Sequence, residues 1–222
     1  MIILDYKKSQ HKQIIHACAE ALKAGKSVVY PTDTSYGLAV DATNSKAVKK
    51  LYQIKERGFS QPVHVTVPTK KYGKSLVKWN STAEKLAKKF WPGPLTIVLP
   101  LTKDDRTSTL QRMTGRTGFM GLRLPKHAIA LDLSKVLGKP ITATSANPSA
   151  HLSGGFDSYS ADDVITQFSK QKYRPDIIIN AGQLPKRKPS TLVKIDGENI
   201  EILREGPITK KQITSLLNTR IS

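Results

Sequence analysis

Hydroxyl and carboxylate side chains are concentrated directly after an apolar segment that ends near residue 30. Residues 28–30 are two valines and a tyrosine, which are typical of a buried strand, and Pro31 interrupts it because proline has no backbone N–H. Every residue from 32 to 36 carries a hydroxyl or a carboxylate. Polar groups are costly to bury without partners, so this stretch favours the lining of a polar ligand pocket at a strand end. A turn that only caps the next element is the alternative.

A second polar segment follows another predicted strand later in the chain. Residues 141–144 have the β-branched, apolar character of a strand, and Ser145 and Asn147 come directly after it. If this strand and the strand at 28–30 lie close together in one sheet, their polar ends form a single crevice. The sequence therefore predicts a polar site assembled from separate strand ends.

Cations that could bind a phosphate or a carboxylate stand in two distinct settings. Lys55 and Arg57 follow a predicted helix and precede an irregular loop, residues 58–62. They could neutralise the dipole of the helix C-terminus or bind a phosphate, and the sequence favours neither alternative. Arg123 interrupts an apolar strand predicted at residues 119–124, where a buried guanidinium needs an anionic partner. That partner is either a ligand or an internal carboxylate.

The composition restricts the class of protein. The 222 residues include 36 lysines and arginines against 17 aspartates and glutamates, a net charge of +19, which favours anionic partners such as nucleotides or nucleic acid. No apolar run is long enough to span a membrane, and Asp5 with nearby lysines breaks any signal-peptide core. The single cysteine, Cys18, and the scattered histidines argue against a disulfide and a zinc site. We therefore expect a cytoplasmic protein without membrane association.

Short strand and helix patterns alternate along the chain and must position these residues. An apolar stripe predicts a helix over residues 11–24, and Asp196–Gly197 predicts the turn of a hairpin near the end. The patterns contain no repeat and no low-complexity linker. Together they predict a single α/β domain over residues 1–222, with a mixed parallel and antiparallel sheet flanked by helices.

Local signals add three specific expectations. Thr43 is expected to cap a helix that ends near residue 56. Ser81 and Glu84 have the spacing of a capping box at the start of a later helix. Residues 103–117 are polar and charged, which predicts a mobile segment.

Several of these stretches together resemble the threonylcarbamoyl-AMP synthase family, the YrdC-like proteins, in its single-domain branch. The stretches occur in the order of the family's motifs and are distributed over nearly the whole chain, so their combination is specific although each alone is weak. They are residues 30–38, 55–57, 91–96, 121–125, 145–147, 190–193 and 203–206.

The resemblance implies a fold, a reaction and partners. The fold would be a twisted mixed sheet with flanking helices and a large open basic cavity. The reaction would join L-threonine, bicarbonate or CO2, and ATP into threonylcarbamoyl-adenylate and pyrophosphate. Mg²⁺ would arrive bound to the ATP phosphates, without a metal site on the protein itself. The product would pass to a downstream transferase that modifies an adenosine next to the anticodon of tRNA, and binding of tRNA or double-stranded RNA is a further expectation.

The resemblance also assigns roles to individual residues. L-Threonine would be bound by Thr34, Thr66, Arg123, Ala143 and Ser190. ATP would be bound by Lys55, Arg57, Gln61, Phe119, Ser145, Asn147, Ser153 and Arg204. Lys55 and Arg57 would be the catalytic pair, because they can neutralise charge on the triphosphate while the α-phosphate is attacked.

Two other functions are compatible with the sequence. One is a non-catalytic RNA-binding protein of the same fold, which the net charge of +19 would suit. The aromatic content of only 6% argues against a surface that stacks on bases. The other is a carbamoyl-transfer domain with a different acceptor, because its motifs at residues 55–57 and 145–147 would be the same.

Overall fold

The computed structural model describes residues 1–102, 109–149 and 156–218, and its strands form one ten-stranded sheet. The strands are β1 (Ile2–Asp5), β2 (Val28–Pro31), β3 (Tyr36–Ala39), β4 (His64–Thr66), β5 (Leu95–Pro100), β6 (Phe119–Arg123), β7 (Ile141–Ser145), β8 (Ile177–Asn180), β9 (Thr191–Asp196) and β10 (Asn199–Arg204). The helices are α1 (His11–Lys23), α2 (Ser45–Ile54), α3 (Lys70–Leu76), α4 (Ser81–Phe90), α5 (Thr109–Met113), α6 (Ala128–Leu137), α7 (Ala161–Phe168) and α8 (Lys210–Leu217).

Neighbouring strands of this sheet run both parallel and antiparallel. The order is β1-β8-β2-β3-β7-β4-β6-β5-β9-β10. The pairs β1–β8, β8–β2, β4–β6 and β5–β9 are parallel, and the remaining pairs are antiparallel. The expected mixed α/β sheet is therefore confirmed, and the hairpin predicted at Asp196–Gly197 joins β9 to β10.

Alternate residues along the strands point to opposite faces of the sheet, and helices cover these faces unequally. On one face, which we call the covered face, side chains such as Val29, Val65 and Leu122 share a core with α2, α4, α7 and α8. On the other face, a second cluster packs α1 and α6 against β1, β8, β2, β3 and the start of β7. The rest of this second face, which we call the open face, is free to line a cavity.

The two predicted helix caps are displaced in the structure. Asn44, and not Thr43, caps α2, since its side chain accepts hydrogen bonds from the backbone N–H of Lys46 and Ala47. The Thr43 hydroxyl instead donates to Asp41 at 2.6 Å. Thr43 and Asn44 are both close enough to the start of α2 to cap it, but the Thr43 hydroxyl bonds to Asp41 instead of a helix N–H.

The capping box predicted between Ser81 and Glu84 is absent. Asn80 caps α4 by accepting a hydrogen bond from the N–H of Ala83. The Glu84 carboxylate accepts hydrogen bonds from Lys70 and from the Trp79 indole, and it pairs with a second lysine of α3. A carboxylate with these cationic partners gains more from them than from a backbone N–H at the helix start.

The segment expected to be mobile contains a short helix for which the sequence showed no signal. Residues 103–108 lie outside the described part of the chain, whereas Thr109–Met113 form α5. Met113 is fully buried in the core of the covered face, and this burial stabilises a helical turn that its polar neighbours do not predict. Within the described residues, no helix is long and apolar enough to cross a membrane.

The chain after β10 crosses closely over the start of β9, and this crossing fixes the end of the sheet. Thr191 accepts hydrogen bonds from the N–H groups of Gly206 and Ile208 and donates to the Ile208 carbonyl. A Cβ atom at Gly206 would lie 2.0 Å from the Pro189 carbonyl oxygen and 2.7 Å from the Thr191 nitrogen. Only glycine fits this crossing without backbone displacement.

We expect Gly206→Ala to lower the free energy of unfolding by about 3 kcal/mol, because the added methyl group must displace backbone atoms that cannot yield as a side chain can. Urea denaturation followed by circular dichroism measures the change. Gly58→Ala is the matched control, since its Cβ would meet only the Ser60 side chain, at 3.5 Å. A change of less than about 0.5 kcal/mol at Gly206 would contradict the steric argument.

Candidate active site

The structure has two adjoining cavities, of which the inner one lies on the open face of the sheet. The inner cavity, of about 220 Å³, is lined by residues of β2, β3, β4, β5, β6, β7 and β10 and of the segments next to them, including Ser190 just before β9. The outer cavity, of about 570 Å³, lies against the loops that follow α2 and β7. Their linings share Arg57, Pro62, Thr144, Ser145 and Asp157. A ligand with two parts could therefore occupy both cavities at once.

Strand register explains why the inner cavity collects residues that are far apart in sequence. Thr66 on β4 lies opposite Arg123 on β6, and His64 lies opposite Ala143 on β7. Residues directly opposite in paired strands point to the same face, so these four side chains form one floor. Gly37 lies opposite Ser145, which places the polar segment after β2 beside the polar end of β7. The crevice expected from two strand ends is thus formed through β3.

All residues predicted to bind L-threonine line the inner cavity. They are Thr34, Thr66, Arg123, Ala143 and Ser190. The residues predicted to bind ATP are distributed differently. Lys55, Gln61 and Asn147 line the outer cavity, Arg204 lines the inner one, and Arg57 and Ser145 line both. The predicted amino-acid and nucleotide residues are therefore adjacent and share a boundary.

Two of the predicted ATP residues are not in these cavities. Phe119 lies on β6, on the same strand face as Arg123, and the Lys194 ammonium is 4.5 Å from the centre of its ring. It lines neither cavity. Ser153 lies outside the residues that the structure describes. The roles of both residues remain predictions.

Lys55 carries its ammonium group into the boundary between the cavities. It is 3% exposed and donates hydrogen bonds to the Ser145 carbonyl at 2.7 Å and to Asn147 Oδ1 at 3.0 Å. The Ser145 hydroxyl bonds to the same amide oxygen. Burial, reinforced by the nearby Arg57 charge, lowers the pKa of Lys55 to about 7. The lysine therefore changes charge close to neutral pH, and a bound anion would favour its cationic form.

Arg123 is held at the inner cavity by the polar segment after β2. Its guanidinium forms an ion pair with Asp33 at 2.5 Å and donates to the Thr34 hydroxyl at 3.3 Å. The Thr32 hydroxyl accepts the N–H groups of Thr34 and Ser35, which closes the turn. The segment therefore forms a hydroxyl-bonded turn, but it does not only cap the next element, because it also lines the inner cavity. The two partners considered for Arg123 are also compatible, because it pairs with the internal carboxylate of Asp33 and lines a cavity that a ligand could enter.

Arg204 is fixed by the chain crossing near β9. Its guanidinium donates two hydrogen bonds, of 2.9 and 3.0 Å, to the Ser190 carbonyl. The Ser190 hydroxyl lies 3.0 Å from that of Thr96, which also lines the inner cavity. The chain crossing at Gly206 thus helps to hold the Arg204 guanidinium at the inner cavity.

The charge of the site is strongly positive. Lys55, Arg57, Arg123 and Arg204 line the cavities, and Asp157 is the one carboxylate among the described lining residues. Cations concentrated in a concave site attract anionic ligands. The described residues contain no group of three or more histidine, cysteine, aspartate or glutamate side chains that could hold a metal ion. The cations of the lining therefore suit an anionic ligand.

Sequence reasoning missed several residues of the inner cavity, among them His64, Thr96 and Asp157. A signal for His64 was present, because it stands two residues before Thr66 in a strand and so shares its face. Thr96 lies opposite Arg123 in the register, which only the structure shows. Asp157 is in a loop between elements, and no local pattern distinguishes it.

Comparisons with known proteins agree on one family. The family model Sua5/YciO/YrdC, described as "Telomere recombination", matches residues 20–206. A protein of Methanocaldococcus jannaschii is 32% identical over 206 residues, which are 93% of this chain and 92% of that one. The threonylcarbamoyl-AMP synthase of Bacillus subtilis is 32% identical over 216 residues.

A solved structure agrees with the sequence relatives. The crystal structure of Pyrococcus abyssi Sua5 complexed with L-threonine matches the whole chain with a TM-score of 0.84 and 31% identity. The chain spans 62% of that protein and 59% of the Bacillus subtilis relative. These two relatives therefore contain further residues that the present chain does not match.

The lowered pKa of Lys55 predicts that anion binding weakens as the pH rises. Below pH 7 the lysine is cationic in the free protein, and above pH 7 it loses its charge, so tripolyphosphate affinity should fall between pH 6 and pH 9. We expect a decrease of about tenfold by isothermal titration calorimetry, roughly the effect of one charge-assisted hydrogen bond.

Lys55→Gln provides the comparison for this titration, because its side chain cannot gain a charge. Lys55→Gln should bind tripolyphosphate more weakly than the wild type at pH 6, and its affinity should not fall as Lys55 loses its proton. The pH dependence measured with this variant is that of the polyphosphate itself. Identical pH dependence in both proteins would show that Lys55 does not contribute.

Proposed function

Because the chain belongs to the Sua5/YciO/YrdC family, we propose that it is a threonylcarbamoyl-AMP synthase. It forms threonylcarbamoyl-adenylate and pyrophosphate from L-threonine, bicarbonate or CO2, and ATP. The observation that carries the proposal is the pair of adjoining cavities. One has the hydroxyls and the arginine suited to a hydroxy amino acid, and the next has the cations suited to a triphosphate.

L-Threonine would occupy the inner cavity. A guanidinium matches a carboxylate in size and geometry, so Arg123 would bind the threonine carboxylate while Asp33 holds it from behind. The hydroxyls of Thr34 and Ser190 would exchange hydrogen bonds with the polar atoms of the substrate. Ala143 contributes only a methyl group to the floor, which leaves space for the amino acid against the strand.

ATP would occupy the outer cavity with its phosphates at the shared boundary. Arg57 lines both cavities, and Lys55 and Asn147 lie beside it. A carbamate oxygen of the substrate would attack the α-phosphorus, a new P–O bond would form, and the bond to the β-phosphate would break to release pyrophosphate. Such a step depends on in-line positioning and on stabilising charge, which the lysine and arginines provide.

A divalent cation, which we take to be Mg²⁺, would accompany the triphosphate. The described residues hold no carboxylate cluster for it, so the phosphate oxygens and water would supply most of its ligands. When bound, it would add charge neutralisation to that of Lys55 and Arg57. The threonylcarbamoyl-adenylate is a mixed anhydride and would be consumed by a downstream transferase that modifies an adenosine of tRNA.

The direct test is pyrophosphate release by the purified protein with Mg-ATP. We expect release that requires both L-threonine and bicarbonate, detected with a coupled pyrophosphate assay, together with a threonylcarbamoyl-adenylate product identified by mass spectrometry. Omission of either substrate should reduce the signal to background. Pyrophosphate release that is independent of threonine would overturn the proposal.

The two arginines should separate the ligands. Arg57→Ala should weaken binding of a non-hydrolysable ATP analogue, and Arg123→Ala should weaken threonine by about 100-fold and ATP much less, because each loses charge-assisted hydrogen bonds to one ligand. Calorimetry of both variants with both ligands measures the difference. Equal losses of both ligands in each variant would contradict the assignment.

Arg123→Ala also leaves Asp33 buried without its counter-charge, which is costly for folding. Thermal melting of each variant is therefore recorded beside the titration, and affinities refer to the folded fraction. Arg123→Lys keeps a charge for Asp33 but loses the planar fork, so it should fold better than the alanine variant and still bind threonine weakly.

A further inference from the structure

His64 lies on the floor of the inner cavity and has no role in the assignment above. It is the first residue of β4, two positions before Thr66, and it lines the inner cavity on the same strand face. Among the described lining residues it is the one imidazole. No hydrogen bond of its ring is found among the described residues, and Nε2, the ring nitrogen away from Gly121, remains available to a ligand.

Small residues on the two strands next to β4 leave space for the His64 ring. His64 lies opposite Ala143 on β7, and its ring lies against Gly121 on β6, two residues before Arg123. A Cβ atom at Gly121 would lie 2.2 Å from His64 Nδ1 and 2.6 Å from Cγ. The imidazole thus covers the Gly121 backbone, and any larger residue there would displace it. Nε2 is the ring nitrogen farther from this contact.

The charges around His64 are mainly positive. Burial, then Arg204 and Arg57, lower the pKa of His64 to about 4, so the free protein holds it neutral at pH 7. Arg123 on β6 and Asp157 in the loop before α7 are the other charged groups that line the inner cavity. The Tyr30 and Tyr36 hydroxyls of β2 and β3 donate to backbone carbonyls, and burial raises the pKa of both.

We propose that His64 is a catalytic residue that accepts the proton released when the threonine amine adds to CO2, and that it does so once nucleotide phosphates lie near Arg57 and Arg204. This inference rests on the proposed function. It assigns a base to carbamate formation, the step that precedes the attack on ATP. Lys55 and Arg57 provide charge stabilisation during that attack, but neither is a neutral imidazole.

The step is a simple addition. The ammonium of bound threonine first loses one proton to solvent. The amine lone pair then forms the N–C bond with CO2, one electron pair of a C=O bond moves to oxygen, and the surplus proton on nitrogen passes to His64 Nε2. The products are the carbamate and an imidazolium, which returns its proton to solvent after pyrophosphate leaves. A neutral imidazole is the suitable form for this task.

Nucleotide binding would control the base through charge. Arg57 and Arg204 disfavour an imidazolium in the free protein, and a polyphosphate near them compensates their charge. The same anion also attracts the imidazolium itself, so the pKa of His64 rises when the nucleotide is bound. Carbamate would then form readily only when the ATP that consumes it is present, which matters because carbamates decompose easily.

Three proteins test the proposal in the pyrophosphate assay: the wild type, His64→Gln, and the control His16→Gln, whose exposed histidine lies on α1. Glutamine keeps hydrogen bonding and loses titration. We expect His64→Gln to reduce kcat by about 100-fold between pH 6 and 8, with the KM values of ATP and threonine within about threefold of wild type. The wild-type rate should also decline at low pH, and this decline should be missing in the variant.

Calorimetry tests the coupling to nucleotide separately. Titration of a non-hydrolysable ATP analogue at pH 6, in buffers that differ in ionisation enthalpy, should show more proton uptake by the wild type and by His16→Gln than by His64→Gln. Equal proton uptake by all three, or a His64→Gln rate within threefold of wild type with an unchanged pH profile, would overturn the proposal.

Gly121→Ala is an independent variant, because its methyl group should displace the ring. It should reduce kcat strongly when His64 is present and have little further effect in His64→Ala, where the space is free. Additive losses would argue against the ring position as the cause. If the wild type releases no threonine-dependent pyrophosphate, the proposed function fails. If the wild type releases it and the His64 variants release it at the same rate, only the His64 proposal fails.

Discussion

The incomplete covering of one sheet face is the constraint on which the rest of this structure depends. A ten-stranded sheet needs apolar burial to be stable, and the covered face supplies it along most of the sheet. On the other face α1 and α6 cover only one half. Strand residues that point to this face are therefore apolar where the two helices cover them, as at Val28 and Ile141. They are polar or small where no helix covers them, as at Thr66 and Ala143.

The cations of the site are held by partners that a ligand could share. Arg123 is bound to Asp33, Arg204 to the Ser190 carbonyl, and Lys55 to the Ser145 carbonyl and Asn147. Each partner fixes a cation that would otherwise lose rotamer freedom when a ligand binds. The lowered pKa values of Lys55 and His64 show that the site disfavours further positive charge, so an anion would stabilise it.

Part of this architecture follows from the amino-acid sequence alone. The apolar runs, the glycines and prolines, and the capping residues predicted most helices and strands, because these signals act between residues close in the chain. The caps at Thr43 and Ser81 were wrong because Asp41 and the lysines of α3 compete for the same groups. The helix at Thr109–Met113 was missed because burial of Met113, and not local propensity, stabilises it.

The sequence by itself determined which residue types could bind an amino acid and a triphosphate, since a polar strand end, a buried arginine and cations beside a loop are local features. Only the tertiary structure decided that Arg57, Arg123 and Arg204 border one cavity, and that His64 lines the same cavity over Gly121. The physical reason is register. Pairing of β4 with β6 and β7 sets which side chains share a face, and that pairing depends on long-range contacts that no short stretch of sequence contains.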